Sequence, residues 1–400
     1  MVFKSQLHVA LRGCIFANWG LMLFHFACIH CFGLSKLSKL IQISISFFVL
    51  LFIFQSNSYA EIKQQDNVKL LKQGWTIALE NDVFSPQNST DRWFTNGLHI
   101  TTAFKEEEEP QFQKWTKNVI KPLLFRDDCD DKECDLTLVV SFGQNIYTPR
   151  KLNVAEPQLN DRPWAGWLYG GLGYSVFKGN RNETLSLKVG PIGPASFASD
   201  VQKFVHCCVV NSTGPKGWGN QLRPMIGAQL SYLTTYRYSL TNHFDLQPSL
   251  GFTVGNTRNL ARMGLGLNWA YDRGEGARLQ PGSLDEGEFF VPDFSANPTN
   301  GTFLDALKHT AVYAHIQSSQ VLYNVFIEGD AYDGKHNIDL IHNVITSTVG
   351  FTVPFGDKGE HKVGLAFKNR SPEFEITGEN AGRDSYQTWG VLSYSRDFNF

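Results

Sequence analysis

The chain has 400 residues, 42% of them hydrophobic and 18% charged, with 36 basic against 38 acidic residues and a net charge of −2. No Lys/Arg-rich tract or face is present, so a nucleic-acid partner read through charge is excluded. The 13% aromatic content excludes a disordered chain, and the length allows two average domains or one large all-β domain.

Ile41 to Phe54 is an almost wholly apolar run, preceded by Lys36 and Lys39 and followed by Ser58-Tyr59-Ala60. A basic flank, a short apolar stretch and a small-x-small site are the parts of a secretory signal peptide. At 14 residues the run falls short of the about 20 that cross a bilayer as a helix, which weighs against a membrane anchor. Residues 1–60 are therefore read as a signal peptide cleaved after Ala60, with Met22 as an alternative start, and 61–400 as the mature domain. The first sixty residues hold four basic residues (Lys4, Arg12, Lys36, Lys39) and no acidic ones, so the mature part carries a net charge of −6.

Beyond residue 60 no apolar run is long enough for a spanning helix. Twelve segments instead show period-two alternation: 74–84, 94–104, 136–146, 165–178, 183–193, 223–238, 243–256, 260–272, 309–322, 342–355, 361–370 and 386–400. Leu98, Ile100, Thr102 and Phe104, for example, alternate with His99, Thr101 and Ala103. Such alternation makes strands with two unlike faces. One face is apolar and the other is rich in Gly, Ala, Ser and Thr. With 35 glycines, an export signal and aromatic strand ends, the pattern predicts an all-β, transmembrane antiparallel β-barrel of about 12 strands with a polar lumen. The last segment ends in Phe398 and Phe400, resembling the terminal strand that the outer-membrane assembly machinery recognises. Arg396 falls on the lipid side, where a long side chain can snorkel.

Segments 105–135 and 273–308 read as loops. Residues 195–209 break the alternation, and Phe197, Val201, Phe204, Val205 and Cys208 recur at helical spacing. This predicts a short amphipathic helix near the extracellular mouth, with Gln202 and His206 on another face. Four cysteines remain in the mature part. Cys129 and Cys134 flank an acidic loop and could form a short bridge. Cys207 and Cys208 are adjacent, where a bond would be strained, and zinc-type spacing is missing.

No Gly-x-Ser-x-Gly elbow, His-Glu-x-x-His helix or phosphate-binding glycine loop occurs. Polar clusters gather instead at one end of the strands. Glu80-Asn81-Asp82 ends one strand, and Thr90-Asp91-Arg92-Trp93-Phe94-Thr95 opens the next. By parity Asp82 joins Thr76, Ala78 and Glu80 on the lumen side, and Thr95 joins Gly97, His99 and Thr101. Oxygen donors of this kind suit Ca²⁺ rather than zinc, although Asp and Asn at hairpin ends are equally turn formers. His206 is the candidate general base, because its ordinary pKa lies near neutrality.

Taken in order, Asn81-Asp82, Asp91-Arg92-x-x-Thr95-x-Gly97-Leu98, Gln144-x-Ile146-Tyr147-x-Pro149, Asp161-Arg162, Gly193-Pro194, Val201-Gln202-x-x-x-His206 and Trp218-x-x-Gln221 resemble one family. That family is the outer-membrane lipid A 3'-O-deacylases, LpxR-type. The resemblance implies a twelve-stranded, monomeric barrel with its active site at the outer-leaflet end. It also implies Ca²⁺-dependent hydrolysis of the acyloxyacyl ester of lipid A in lipopolysaccharide. By analogy His206 deprotonates a water, Asn81 and Asp82 hold the metal, and Thr95 supports the ester carbonyl. Lys151 is the nearest match to a basic site residue. The characterised branch carries a Glu six residues beyond the His, where this chain has Ser212; Glu80 and Asp200 are the nearby acids. An outer-membrane phospholipase, or a barrel serving as adhesin, structural protein or narrow pore, are the competing readings.

Overall fold

The computed structural model describes residues 74–84, 92–105, 135–210, 214–271, 276–278, 293–295, 303–329, 338–356, 359–375 and 386–397, all within the unit Ile62–Phe400. The signal peptide, the Cys129/Cys134 pair, Ser212 and Phe398 to Phe400 lie outside the described residues.

Twelve strands form the barrel. They are β1 (Gly74–Asn81), β2 (Trp93–Lys105), β3 (Asp135–Thr148), β4 (Ala165–Lys178), β5 (Arg181–Ile192) and β6 (Met225–Tyr236), followed by β7 (Phe244–Gly255), β8 (Arg258–Ala270), β9 (Ala311–Asn324), β10 (Asn343–Phe355), β11 (His361–Arg370) and β12 (Gln387–Asp397). Each pairs antiparallel with its neighbours in sequence. β12 returns to β1 in a register running from Gly74 opposite Asp397 to Asn81 opposite Gly390, which closes the sheet. Closure leaves no strand edge unpaired. Among the described residues three short α-helices accompany the strands: α1 (Ala198–Phe204), α2 (Phe303–Lys308) and α3 (Val325–Glu328). The expected loop 273–308 therefore contains α2, together with a small strand pair, Gly276–Arg278 with Asp293–Ser295.

The wall is inverted relative to a water-soluble domain. Leu79, Ile100, Phe142, Leu187, Leu250, Met263, Val349 and Leu392 point outward and are exposed. Glu80, His99, Lys188, Arg262 and Lys368 point inward and are buried. In water this arrangement would expose the apolar area whose burial drives folding. With lipid outside, it is the arrangement a barrel needs. Arg396 points outward as its parity requires.

Side chains fill the lumen. Lys368 Nζ donates to both carboxylate oxygens of Glu80 at 3.4 Å, and Trp389 Nε1 donates to the same carboxylate at 2.6 Å. His99 places Nε2 3.8 Å from Glu80 and Nδ1 2.8 Å from the Tyr169 hydroxyl. Toward the end remote from the termini, α3 plugs the bore. Asn324 caps it by accepting from Phe326 N–H at 3.1 Å, while Glu328 accepts from Asn324 N–H at 2.9 Å, a reciprocal cap. Phe326 is thereby stacked on Tyr147 at 4.4 Å between ring centres, beside Trp167 at 5.9 Å.

Two outcomes follow from this packing. The purified protein should run as a faster band in unboiled gels and shift on heating; a detergent-free soluble monomer would contradict the barrel. Glu80→Ala removes a buried counter-charge from Lys368, which costs about 3–5 kcal/mol, so the unboiled band should be lost at a lower urea concentration. Glu80→Ala combined with Lys368→Met should recover most of that loss. An unchanged urea midpoint for Glu80→Ala would show that the pair does not hold the barrel.

Candidate functional site

The ends of β1, β3, β5, β7, β9 and β11 lie at the rim remote from Gly74 and Asp397, and every predicted site residue sits there. Asp82 begins a single 3₁₀ turn, Asp82–Phe84, directly after β1. Its carboxylate is buried, only 2% exposed, and Oδ2 accepts from Arg92 N–H at 3.1 Å. Asn81 precedes it and is half-buried. Its Oδ1 accepts from Val83 N–H at 2.8 Å, and its Nδ2 donates to Asn96 Oδ1 at 3.3 Å. Strand alternation puts Asn81 on the parity of Leu79, whereas Asp82 lies beyond the end of β1 and is aimed by the 3₁₀ turn.

Thr95 is set by a β-bulge. The β2–β3 register slips between Phe94 and Asn96, so Thr95 is the extra residue, and bulges re-aim side chains in this way. Its hydroxyl lies 2.7 Å from that of Thr148, and both residues are buried. Trp93, at the start of β2, has a positive φ of 67°, an uncommon conformation for a bulky residue. Its surroundings hold it there. Nε1 donates to Asp161 Oδ1 at 3.1 Å, the Arg92 guanidinium lies 4.4 Å from its ring, and Phe374 meets it edge-on at 5.8 Å.

Asp161 organises the next segment. Besides Trp93, it accepts from the backbone N–H of Arg150 at 2.8 Å and of Arg162 at 2.8 Å. Burial nevertheless pushes its carboxyl above the ordinary range, the three donors pulling the other way. Arg92 is pushed down, first by burial and then by the nearby Arg150 cation. Arg162 is fully buried, with Nε donating to Phe326 O at 3.2 Å and Nη1 3.6 Å from Glu373. The 149–164 segment is thereby locked onto the plug. Lys151 lies on it with an exposed side chain, and its carbonyl accepts from Gln158 Nε2 at 2.7 Å.

The predicted helix at 195–209 is observed as a 3₁₀ turn Pro194–Ser196, then α1, then a π turn Val205–Val210. Ser196 O accepts from Gln144 Nε2 at 2.6 Å, tying the segment to β3. Gly166 on β4 lets it approach, since a Cβ there would collide with Ala198 and Ser196. Trp218 Nε1 donates to Gln202 Oε1 at 2.8 Å. Ala198 packs with Ile146, Trp164 and Trp218, and Val201 leans on them. The expected apolar stripe is only partly used in this docking: Phe197 and Phe204 face away from the rim and are exposed. His206, half-buried, sits in the π turn, an irregularity frequent at functional sites. The adjacent Cys207 and Cys208 sulfurs are bonded to each other.

The structure thus brings Asp82, Arg92, Trp93, Thr95, Thr148 and Asp161 together on the β1–β3 rim, and seats α1, which leads into the turn carrying His206, against β3 and β4. Among the described residues, no group of three or more His, Cys, Asp or Glu side chains converges. Glu80, considered in place of the missing Glu, is committed to Lys368 and Trp389; Asp200 is exposed on α1. Sequence reasoning missed Thr148 as the partner of Thr95, and the plug residue Phe326. Only the Asn324-x-Phe326 cap spacing could have signalled the latter.

A family model described as outer membrane protein LpxR matches residues 45–398. The chain belongs to the LpxR family of outer membrane proteins. Like the family, this LpxR-type chain is a multi-pass outer-membrane barrel. LpxR from Salmonella typhimurium is 17% identical, covering 81% of this chain and 100% of that one, with a TM-score of 0.56. At that identity the likeness shows the fold alone. The β domain of the Bordetella autotransporter BrkA is 10% identical over 82% of this chain and 98% of its own, with a TM-score of 0.38. The translocator domain of NalP from Neisseria meningitidis is 9% identical over 88% and 98%, with a TM-score of 0.34. A search of curated proteins gave no significant match.

Asp161→Ala should leave three donors, Trp93 Nε1 and the Arg150 and Arg162 N–H groups, without their acceptor, each buried orphan costing about 1–3 kcal/mol. The expected result is protease cleavage within 149–164 while the heat-modifiable band persists. A segment as protease-resistant as in the parent would show that Asp161 does not organise this LpxR-family rim.

Proposed function

We propose that this chain is an outer-membrane ester hydrolase that removes the 3'-O-linked acyloxyacyl group of lipid A in a Ca²⁺-dependent manner. The observation that carries the reading is that Asn81, Asp82, Thr95, Lys151 and His206, drawn from four separate stretches of the chain, all sit on one rim of a lipid-facing barrel in an LpxR-family member. The rim remote from the termini is taken as the outer-leaflet end, where lipid A resides.

In this reading His206 accepts the proton of a water, and the water oxygen attacks the acyl carbon. The carbonyl π pair moves onto oxygen and then returns as the bond to the sugar oxygen breaks. The imidazolium gives its proton to that leaving oxygen. The products are a sugar hydroxyl and a free acyloxy acid. The Thr95–Thr148 contact suits Thr95 to the developing oxyanion: with Thr148 as donor, Thr95 keeps its own hydrogen to donate. Lys151, exposed beside the site, offers positive charge to an anionic headgroup. The donors at Asn81 and Asp82 are oxygens only, in keeping with a hard cation. Bound there, Ca²⁺ would supply fixed positive charge near the ester carbonyl.

The test is acyl release from lipid A by the purified protein in proteoliposomes. A general base contributes about 10²–10⁴-fold in rate, so His206→Asn should lose that much while keeping the gel shift. Asn retains size and hydrogen bonding but cannot take the proton. Asp82→Ala should be inactive, and EDTA should inhibit reversibly on Ca²⁺ return. Near-normal turnover of His206→Asn would sink the assignment, and full activity in EDTA would remove the metal from it.

A further inference from the structure

The lipid-facing wall carries a polar cluster at the end opposite the candidate site. Trp75 on β1 lies opposite Arg396 on β12, Arg396 opposite His361 on β11, and His361 opposite Phe355 on β10. The four form a row across adjacent strands, one pair inside the end of the wall at Gly74 and Asp397. Along their strands they share parity with Leu79, Leu392, Val363 and Val349, all exposed, so the row faces the bilayer.

Tyr394, on the same face of β12, ties the row together. Its hydroxyl lies 2.7 Å from His361 Nδ1. Its ring meets that of Trp75 edge-on at 5.3 Å and lies 6.4 Å from that of Phe355. His361 in turn stacks on Phe355 at 5.2 Å, and its Nε2 is 3.8 Å from Glu360 Oε1. Glu360 immediately precedes β11, on the aqueous side of the row.

Aromatic residues near the ends of a barrel form an interfacial girdle, which accounts for Trp75, Phe355 and Tyr394. A girdle does not account for a cation, an imidazole and a carboxylate set among those rings. Charges held at this depth meet the charges of lipid headgroups. Arg396 is exposed, and the fork of a guanidinium matches a phosphodiester. Glu360, next to His361, adds an anion. That disfavours a purely anionic headgroup and suits one that also carries an ammonium. Deeper in the wall, Phe351 and Val363 are exposed on the same face and offer apolar surface to acyl chains.

We infer that this face is a binding site for one phospholipid whose headgroup joins a phosphodiester to an ammonium, as in phosphatidylethanolamine. Its phosphate sits on Arg396, its ammonium at Glu360 and its acyl chains over Phe351 and Val363. The cluster spans β10, β11, β12 and β1, so the bound lipid crosses the seam at which the barrel closes. A phospholipid rather than lipid A occupies it because the row lies at the end opposite the outer-leaflet rim. That assignment of leaflet rests on the orientation taken above, and the hydrolase reading does not enter it.

Native mass spectrometry of the full-length barrel, released from detergent micelles containing added phospholipid, tests the site. One phosphatidylethanolamine per barrel should be retained, in preference to phosphatidylglycerol. Arg396→Gln should weaken that retention about fivefold, the scale of one basic residue at a charged membrane surface. Lys203→Gln removes the same charge from α1 at the opposite rim and should leave retention unchanged. Glu360→Gln should abolish the preference between the two lipids. Equal retention by Arg396→Gln and the parent, a matching loss in Lys203→Gln, or a preference of the parent for phosphatidylglycerol overturns the inference. If Arg396→Gln loses the heat-modifiable band, p-benzoyl-phenylalanine in place of Phe355 decides instead. Photolysed in cells, it should add the mass of phosphatidylethanolamine to the barrel; cross-links to lipid A, or none to phospholipid, overturn the inference. Neither readout needs ester hydrolysis, so a failed lipid site leaves the hydrolase reading standing, and an inactive protein leaves the lipid site standing.

Discussion

Glu80 in the lumen shows the constraint under which the whole barrel is built. Once the sheet closes and lipid surrounds it, an inward polar group must find its partner within the lumen, from strands brought together by closure. Glu80 on β1 does so with Lys368 on β11 and Trp389 on β12, which places β1 against the end of the chain. A buried carboxylate without such partners would cost several kcal/mol. The lumen is therefore a packed interior, with a charged middle and an aromatic cap of Phe94, Tyr147, Trp167, Phe326 and Trp389 toward the rim. Such filling suits a scaffold that presents groups at its end better than it suits a channel.

The rim inherits its rigidity from that interior. Arg162 reaches from the 149–164 segment to the carbonyl of Phe326 in the plug, and Asp161 beside it gathers Trp93, Arg150 and Arg162. Thr95 is aimed by a bulge and met by Thr148. The helix carrying His206 is fastened through Gln144, Gln202 and the Trp164–Trp218 pair, whose ring centres are 5.1 Å apart. Positioning to this degree is what general-base and oxyanion chemistry require.

Much of the fold was legible from sequence because the bilayer imposes a strict rule on outward positions only. Period-two apolar residues located all twelve strands, with 165–178 and 361–370 matching β4 and β11 at both ends. Asp82 and Thr95 are both buried, but a 3₁₀ turn and a β-bulge, not strand parity, set their directions. Pairings made only by closure were not legible: Glu80 and Lys368 are 288 residues apart, and nothing local marks either as the other's partner. The plug was hidden for the same reason, since α3 is four residues long and its ring partners lie on β3 and β4. The helix 195–209 was found by its spacing, yet spacing alone does not say which medium an apolar stripe faces. Phe197 and Phe204 turned out to face away from the protein. The candidate site residues rest on ordered motifs rather than on any single residue, because Asn, Asp and Thr at strand ends also make ordinary turns.

In the proposed reaction, water activated at this rim cleaves an acyl ester of lipid A. Incubating the purified protein with lipid A and phospholipid in H₂¹⁸O, followed by mass spectrometry of all products, tests it most directly. The expected products are lipid A lighter by one acyloxyacyl group and a free acyloxy acid carrying one ¹⁸O in its carboxylate. Lipid A of unchanged mass, or labelled fatty acid released from the phospholipid instead, would contradict it.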